Sequence, residues 1–245
     1  MPGFISSTAF LDAAGRGDLR TVRDYLSAGG NVHFTDTFGE NAFYRAILME
    51  QDRVVRILLD AGFNATTPIS VGDEVRTPLH EAAISGMPKL IKRLVKAGAD
   101  ANAAVSSEDP EVHGRTPLMA ACYHCGTGDM LGTIVTLFEY GANPNLVDAY
   151  GRNALMHLLE NFPQDTSGQI DEQSNLFGLS LRPVKRDPQE LSEERNTFLR
   201  TARLLIAAGT KLDQHDNCGN TAADYAREYG VTDVLSLLEG FKTRT

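Results

Sequence analysis

The sequence predicts an all-α protein, a solenoid of paired antiparallel helices joined by hairpin loops. Three observations predict it. Residues 76–102, RTPLHEAAISGMPKLIKRLVKAGADAN, read as two short helices laid back to back. Pro78 pre-sets the backbone angle of a first helical turn and Thr77 stands where it can cap the amides there. Gly86 closes that helix, and Leu90, Ile91, Leu94 and Val95 then recur at helical spacing until Gly98 stops a second one. The next observation is recurrence. Thr116-Pro117-Leu118-Met119 and Asn153-Ala154-Leu155-Met156 restate the opening box, and Gly62 follows Gly29 by 33 positions. The last is size, because a pair of helices this short cannot bury its apolar faces alone and must stack on its copies.

A period near 33, the Thr-Pro-Leu-His box at 77–80, the pair Ala82-Ala83 and the closing Gly98-Ala99 together resemble the ankyrin repeat family. The resemblance covers about residues 8–239 as six repeats of one domain spanning 1–245. They fall near 8–32, 36–64, 72–102, 112–145, 148–213 and 216–240, with an insertion at about 161–191 in the fifth.

In chain order, the first unit places Phe10, Leu11, Ala13 and Ala14 on one helix and Leu19, Val22, Tyr25 and Leu26 on another. It has no Thr-Pro-Leu-His, as expected of a terminal repeat whose outer face meets water. The second puts Asn41-Ala42 in place of Thr-Pro, with helices expected over 42–50 and 52–61. Its link to the third unit, 63–76, is longer than the tight hairpin usual in the family. A second extended finger, AAVSSEDPEVHG, follows Asn102 and is expected to be exposed and mobile. In the fourth unit Cys122-Tyr123-His124-Cys125 departs from the pattern. The fifth makes its first helix through Glu160 and resumes its second at 192–208. The sixth, from Cys218, reads as a closing cap.

Apolar content of 42%, with 22% charged residues, is ordinary, and no apolar run approaches the roughly 18 residues of a membrane span. The opening MPGFISSTAF lacks the basic head and apolar middle of a secretory signal, and three cysteines do not make a disulfide framework. A reducing, cytoplasmic setting is expected, with delivery into a host cell left open. A net charge of −9 disfavours nucleic acid, which needs a cationic surface.

The chain offers little chemistry. Cys122 and Cys125, with His124, form one half of a zinc motif where strong sites have two paired halves. Cys122 instead takes a small core position and Cys125 replaces a closing glycine. Neither a phosphate-binding glycine loop nor a nucleophile elbow is present, and no cofactor is implied. The resemblance makes His80 a structural histidine that hydrogen-bonds between units. Phe43, Leu79, Leu118 and Leu155 occupy the core leucine position.

The resemblance implies a protein that binds another protein along a concave surface made by hairpin tips and first helices, where function lies in the variable positions. At positions expected on that surface stand Phe38, Leu48, Met49, His113, Tyr123, His124 and Tyr150. The residue before each box is Arg76, Arg115 and Arg152 in three successive copies, flanked by Glu40 and Asn220. These three arginines are expected as a ladder, spaced on the order of 10 Å, that receives an acidic and apolar segment of the partner. They have an alternative role, pairing with Glu74, Glu111 or Asp148 on neighbouring hairpins. The run 176–181 in the insertion, followed by Arg182, Lys185 and Arg186, either covers the outer helices or acts as a docking arm. An adaptor, inhibitor or sequestering protein, monomeric on its own, is the expectation. A microbial effector or toxin-neutralising immunity protein stays open beside it, as does an enzyme accessory that uses the insertion as a lid. In a eukaryotic chain the resemblance also implies Asn102 or Asn145 as hydroxylation positions.

Overall fold

The computed structural model of the chain describes residues 5–71, 74–124, 128–162 and 188–242. Among them, twelve helices run in pairs. The pairs are α1 (Ser7–Arg16) with α2 (Leu19–Ser27), α3 (Ala42–Leu48) with α4 (Asp52–Asp60), and α5 (Pro78–Ile84) with α6 (Pro88–Lys96). They continue as α7 (Pro117–Tyr123) with α8 (Met130–Glu139), α9 (Ala154–Glu160) with α10 (Pro188–Ala207), and α11 (Ala222–Glu228) with α12 (Thr232–Lys242). First helices form one row, in which α1 packs on α3, α3 on α5, α5 on α7, α7 on α9 and α9 on α11. Second helices form another, where α2 meets α4, α6 meets α8, α8 meets α10 and α10 meets α12. The sequence-predicted all-α solenoid is therefore the observed architecture.

Local sequence explains each helix start. Asn41 and Asn153, which replace threonine, accept backbone N–H groups of their own first turns, from Tyr44 in one case and from Leu155 and Met156 in the other. A neighbour's small residues then let the rows close. Ala13, Ala46, Ala82, Ala83 and Ala121 are fully buried beside Phe10, Phe43, Leu79, Leu118 and Leu155, which fill the space between units. Phe43 stacks on Phe63 with centroids 4.4 Å apart, tying the second unit's first helix to its closing loop.

The two long connections differ from expectation. Residues 69–71 (β1, Ile69–Val71) pair antiparallel with β2 (Glu74–Arg76), and β2 pairs with β3 (Ser106–Ser107). The finger after Asn102 is anchored at its root. Val105 is buried, donates its N–H to the Arg115 carbonyl at 2.8 Å and accepts from Gly114 at 2.9 Å, while residues 108–111 stay exposed. Burying Val105 and Ile69 drives this, and strands of two or three residues are too short to show as an alternating pattern. Helix α10 starts at Pro188, four residues before the expected start. The run 176–181, its basic followers and Cys125 lie outside the described residues.

Neighbouring hairpins touch backbone to backbone. Ala149 N–H donates to the His113 carbonyl at 3.0 Å, and Asn217 N–H to the Tyr150 carbonyl at 2.7 Å. Gly151 allows the second contact, since its φ is +79° and a Cβ there would lie 3.2 Å from the Asp216 Cα. The hairpins of the fourth, fifth and sixth units are thus one continuous strip beside the first-helix row.

Candidate functional site

Three of the hairpins share one device. Asp36, Asp148 and Asp216 each turn the chain, Oδ1 accepting backbone N–H groups two and four residues on at 2.7–3.0 Å. Oδ2 of each then accepts from the side chain nine positions on, in the first helix. The donors are Arg45 NH2, His157 Nε2 and Tyr225 OH, each at 2.9 Å. Glu81 and Ala120 stand in the same register in the third and fourth units. A column of polar side chains thus braces hairpin against helix, with a methyl group at one level.

The expected arginine ladder divides at this column. Arg152 is buried, its Nε 2.9 Å from Asp148 Oδ2, its NH1 2.9 Å from Glu160 Oε1 and its NH2 3.3 Å from Glu111 Oε2. Burial opposes the Asp148 carboxylate, but hydrogen bonds from His157 and Arg152 outweigh it and hold its pKa below the ordinary value. Burial opposes the Arg152 charge too, and Glu160 and Asp148 overcome it. This side chain is built into the fifth unit, so its expected role as a ladder rung presented to a partner is corrected. The alternative of pairing with Glu111 and Asp148 is the observed one, with Glu160 added. Arg76 lies 3.0 Å from Glu81 Oε1. Arg115 differs from both in its neighbour, its guanidinium sitting 4.5 Å from the centre of the Tyr123 ring and not against a carboxylate of the described residues. Its Nε–H is buried without a hydrogen-bond partner among them.

Between these last two arginines lies a cavity of about 440 Å³, whose lining includes Arg76, His80, Glu111, Arg115, Ala120, Tyr123 and His124. It sits at the level where the column is interrupted. A long side chain at 120 would reach the hairpin as its counterparts do; alanine leaves the space open. His124 is exposed, and partial burial, then the charges of Arg115 and Arg76, push its imidazole pKa down. The electrostatics of the cavity are therefore positive on a chain whose net charge is −9.

The remaining sequence-predicted residues fall along the same flank. Phe38, on the second hairpin, is 82% exposed, and Leu48 and Met49, at the end of α3, are 45% and 61% exposed. Leu48 and Met49 line a second cavity of about 360 Å³ with Leu11, Gly15 and Glu40. Glu40 pairs with Arg45 at 2.9 Å, and Arg45 also holds Asp12 and Asp36. Tyr150 lies half-buried under Arg152, 4.8 Å from its guanidinium carbon. His113 is exposed and braces the finger through Nδ1, 2.9 Å from the Ser107 carbonyl. Sequence reasoning missed Arg45, His157 and Glu160, although the recurring Asp-x-x-Gly at 36, 148 and 216 was the signal for the column they serve.

His157 and Asp148 form a buried pair, both side chains fully inaccessible, where no substrate reaches them. His80 Nε2 is 3.1 Å from the Arg115 carbonyl and Nδ1 accepts the Thr77 N–H at 3.2 Å, bridging the third and fourth units as expected of a structural histidine. Cys122 is buried at its small core position. Asn102 and Asn145 are both engaged: each amide donates to the carbonyl of Gly141 or Gly209, and each side-chain oxygen accepts from Asn143 or Lys211.

Stacked helix pairs with a hairpin strip along one side define a helical-repeat binding scaffold. A model of three ankyrin repeats matches residues 10–105 and a single ankyrin repeat model matches 113–149, together more than half of the chain. The chain belongs to the ankyrin repeat family. It is 31% identical over 110 residues to cyclin-dependent kinase inhibitor 2A of Monodelphis domestica, a match that covers 43% of this chain and 60% of that protein. It is 32% identical over 111 residues to cyclin-dependent kinase 4 inhibitor B of Rattus norvegicus, covering 43% of this chain and 80% of that protein. Its fold resembles an ankyrin repeat domain from Acinetobacter baumannii, with a TM-score of 0.70 at 19% identity over 95% of this chain and 97% of that one. A chain from the complex of a predatory endopeptidase of Bdellovibrio bacteriovorus with an immunity protein aligns with a TM-score of 0.67 at 20% identity, over 96% of this chain and 98% of that one.

Proposed function

We propose that this protein is a non-catalytic binder that holds another protein against the flank formed by its hairpins and first helices, as an inhibitor or sequestering partner does. Ankyrin repeats mediate protein–protein interaction, and the kinase inhibitors similar to this chain bear names that describe binding of that kind. One observation carries the choice of flank. Phe38, Leu48 and Met49 are the three most exposed large apolar side chains among the described residues, and all three lie on one hairpin or at the end of one first helix. The core beneath is complete without them, so their exposure serves no packing purpose.

The test is a pull-down from a lysate of the source organism with the full chain and two variants. Replacing Phe38, Leu48 and Met49 by glutamate should remove the captured protein while the urea midpoint stays put. Val135→Glu, at an exposed position of α8 in the other row, should leave capture intact. Capture that survives the triple change, or that fails equally with Val135→Glu, would overturn the assignment to this flank.

A further inference from the structure

We propose that the cavity between the third and fourth units is an anchor pocket for one carboxylate, carried on an acidic side chain of the bound protein. The inference rests on the reading of the flank as a docking face and adds the chemistry of one of its contacts.

Three observations converge. The first is an unmet donor. Arg115 has the same place in its unit as Arg76 and Arg152, each of which faces carboxylates supplied by the fold. For Arg115 the counterpart of Asp148 is Glu111, which is 3.3 Å from Arg152 NH2, and the counterpart of Glu81 is Ala120. No carboxylate among the described residues pairs with Arg115, and its Nε–H is buried without an acceptor. A desolvated guanidinium N–H without a partner is costly, and the Tyr123 ring offsets only part of that cost. Arg115 also lines the cavity, so a carboxylate from outside meets its guanidinium through the terminal N–H groups and supplies the counter-charge.

The second observation is space at the same place. Arg76, Arg115, Tyr123 and His124 border about 440 Å³ beside the methyl group of Ala120, which has room for the end of a Glu or Asp side chain. The third is the field. Arg115 and Arg76 both depress the His124 imidazole after burial has done so, which marks the pocket as positive. Glu111, also in the lining, selects among anions. Its negative charge, on a chain of −9, weighs more against a dianionic phosphate than against a monoanionic carboxylate.

The pocket also has a spacing from the apolar anchors. Phe38, Leu48 and Met49 belong to the second unit and the pocket to the third and fourth. With successive units roughly 10 Å apart, an extended segment rising about 3.3 Å per residue brings its acidic residue some five positions from its apolar one.

The experiment needs no partner. The full chain, labelled with ¹⁵N, is titrated with N-acetyl-glutamate N-methylamide at constant ionic strength while the side-chain Nε–H resonances of Arg115 and Arg20 are followed. Arg20, its side chain 92% exposed, serves as the reference. Arg115 should shift saturably and Arg20 should not, and N-acetyl-glutamine N-methylamide should leave both in place. Arg115→Met, followed through the backbone amides of Ala120 and Tyr123, should weaken binding at least about tenfold, the loss expected for one charge-assisted hydrogen bond. Ala120→Leu, which keeps every charge but fills the space, should abolish it.

A parallel shift of Arg115 and Arg20, or a shift with the glutamine analogue, overturns the pocket. Inorganic phosphate that binds as tightly as the glutamate derivative overturns the carboxylate assignment. Failure here with capture still lost in the Phe38, Leu48 and Met49 variant removes this inference alone. Binding here with capture unaffected by that variant removes the flank reading and leaves a carboxylate site.

Discussion

His80 couples the stability of the stack to pH, and the structure fixes both sign and size. The imidazole is fully buried, with Nε2–H donating to the Arg115 carbonyl and Nδ1 accepting the Thr77 N–H. A second proton would face that N–H donor at a fully buried ring. Burial, with the nearby Arg76 charge adding to it, lowers the pKa to about 4 from its ordinary value of 6.5. The folded state therefore holds fewer protons than the unfolded state between these two values. Stability is full above pH 6.5 and is lost as pH falls towards about 4. At 1.36 kcal/mol per unit the whole shift is worth about 3 kcal/mol, of which roughly 2 kcal/mol is lost between pH 7 and pH 4.5. Urea unfolding of the wild type and of His80→Gln across that range measures it. The variant should start less stable at pH 7, and the gap should close by about 2 kcal/mol at pH 4.5 with a constant m-value. The difference cancels the carboxylates, which both proteins share. Parallel pH profiles, or an imidazole whose own resonances titrate near 6.5 in the folded protein, would refute the reasoning.

Two other predictions follow from the same geometry. Arg152→Met strips the buried Asp148 and the partly exposed Glu160 of their cation and should cost about 3 kcal/mol by urea unfolding, whereas Arg115→Met, with no carboxylate to orphan, should cost less than about 1 kcal/mol. Glu50 has a φ of +53° where its counterparts Gly17, Gly86 and Gly230 stand, so Glu50→Gly should raise stability by about 1 kcal/mol, read as a higher thermal midpoint. An unchanged midpoint would mean that the left-handed turn costs the glutamate nothing.

Much of the fold was legible because ankyrin signals are local. Proline at N1, a capping residue before it and glycine after the last apolar turn decide where each helix starts and stops, and those residues are adjacent in sequence. What stayed hidden depends on two units at once. Arg76, Arg115 and Arg152 look alike in the sequence, and the ladder was read from that likeness. Their fates are set by residues four to eight positions away and by the neighbouring hairpin: Glu81 for one, Asp148, Glu160 and Glu111 for another, and the ring of Tyr123 for the third. The small sheet was hidden for a related reason, since its strands are too short to carry a period and β3 pairs with β2 across the whole α5–α6 pair. The exposed residues fared differently. Phe38 and Met49 stood out because a large apolar side chain on a hairpin or at a helix end has no place in the stack, and local position alone says so.

The interrupted column is where stability and recognition part. At four levels the fold spans hairpin and helix with a polar side chain, using arginine, glutamate, histidine and tyrosine in turn. Such variety shows that many residues satisfy the geometry, so the alanine at 120 is not forced by lack of alternatives. A side chain there able to accept from Arg115 would gain a charge-assisted bond and remove a buried unmet donor, both stabilising. Natural chains forgo gains of this kind where a partner supplies the missing group. The acceptor that the fold withholds from Arg115 is then the one that the bound protein brings, and the alanine keeps the way to it open.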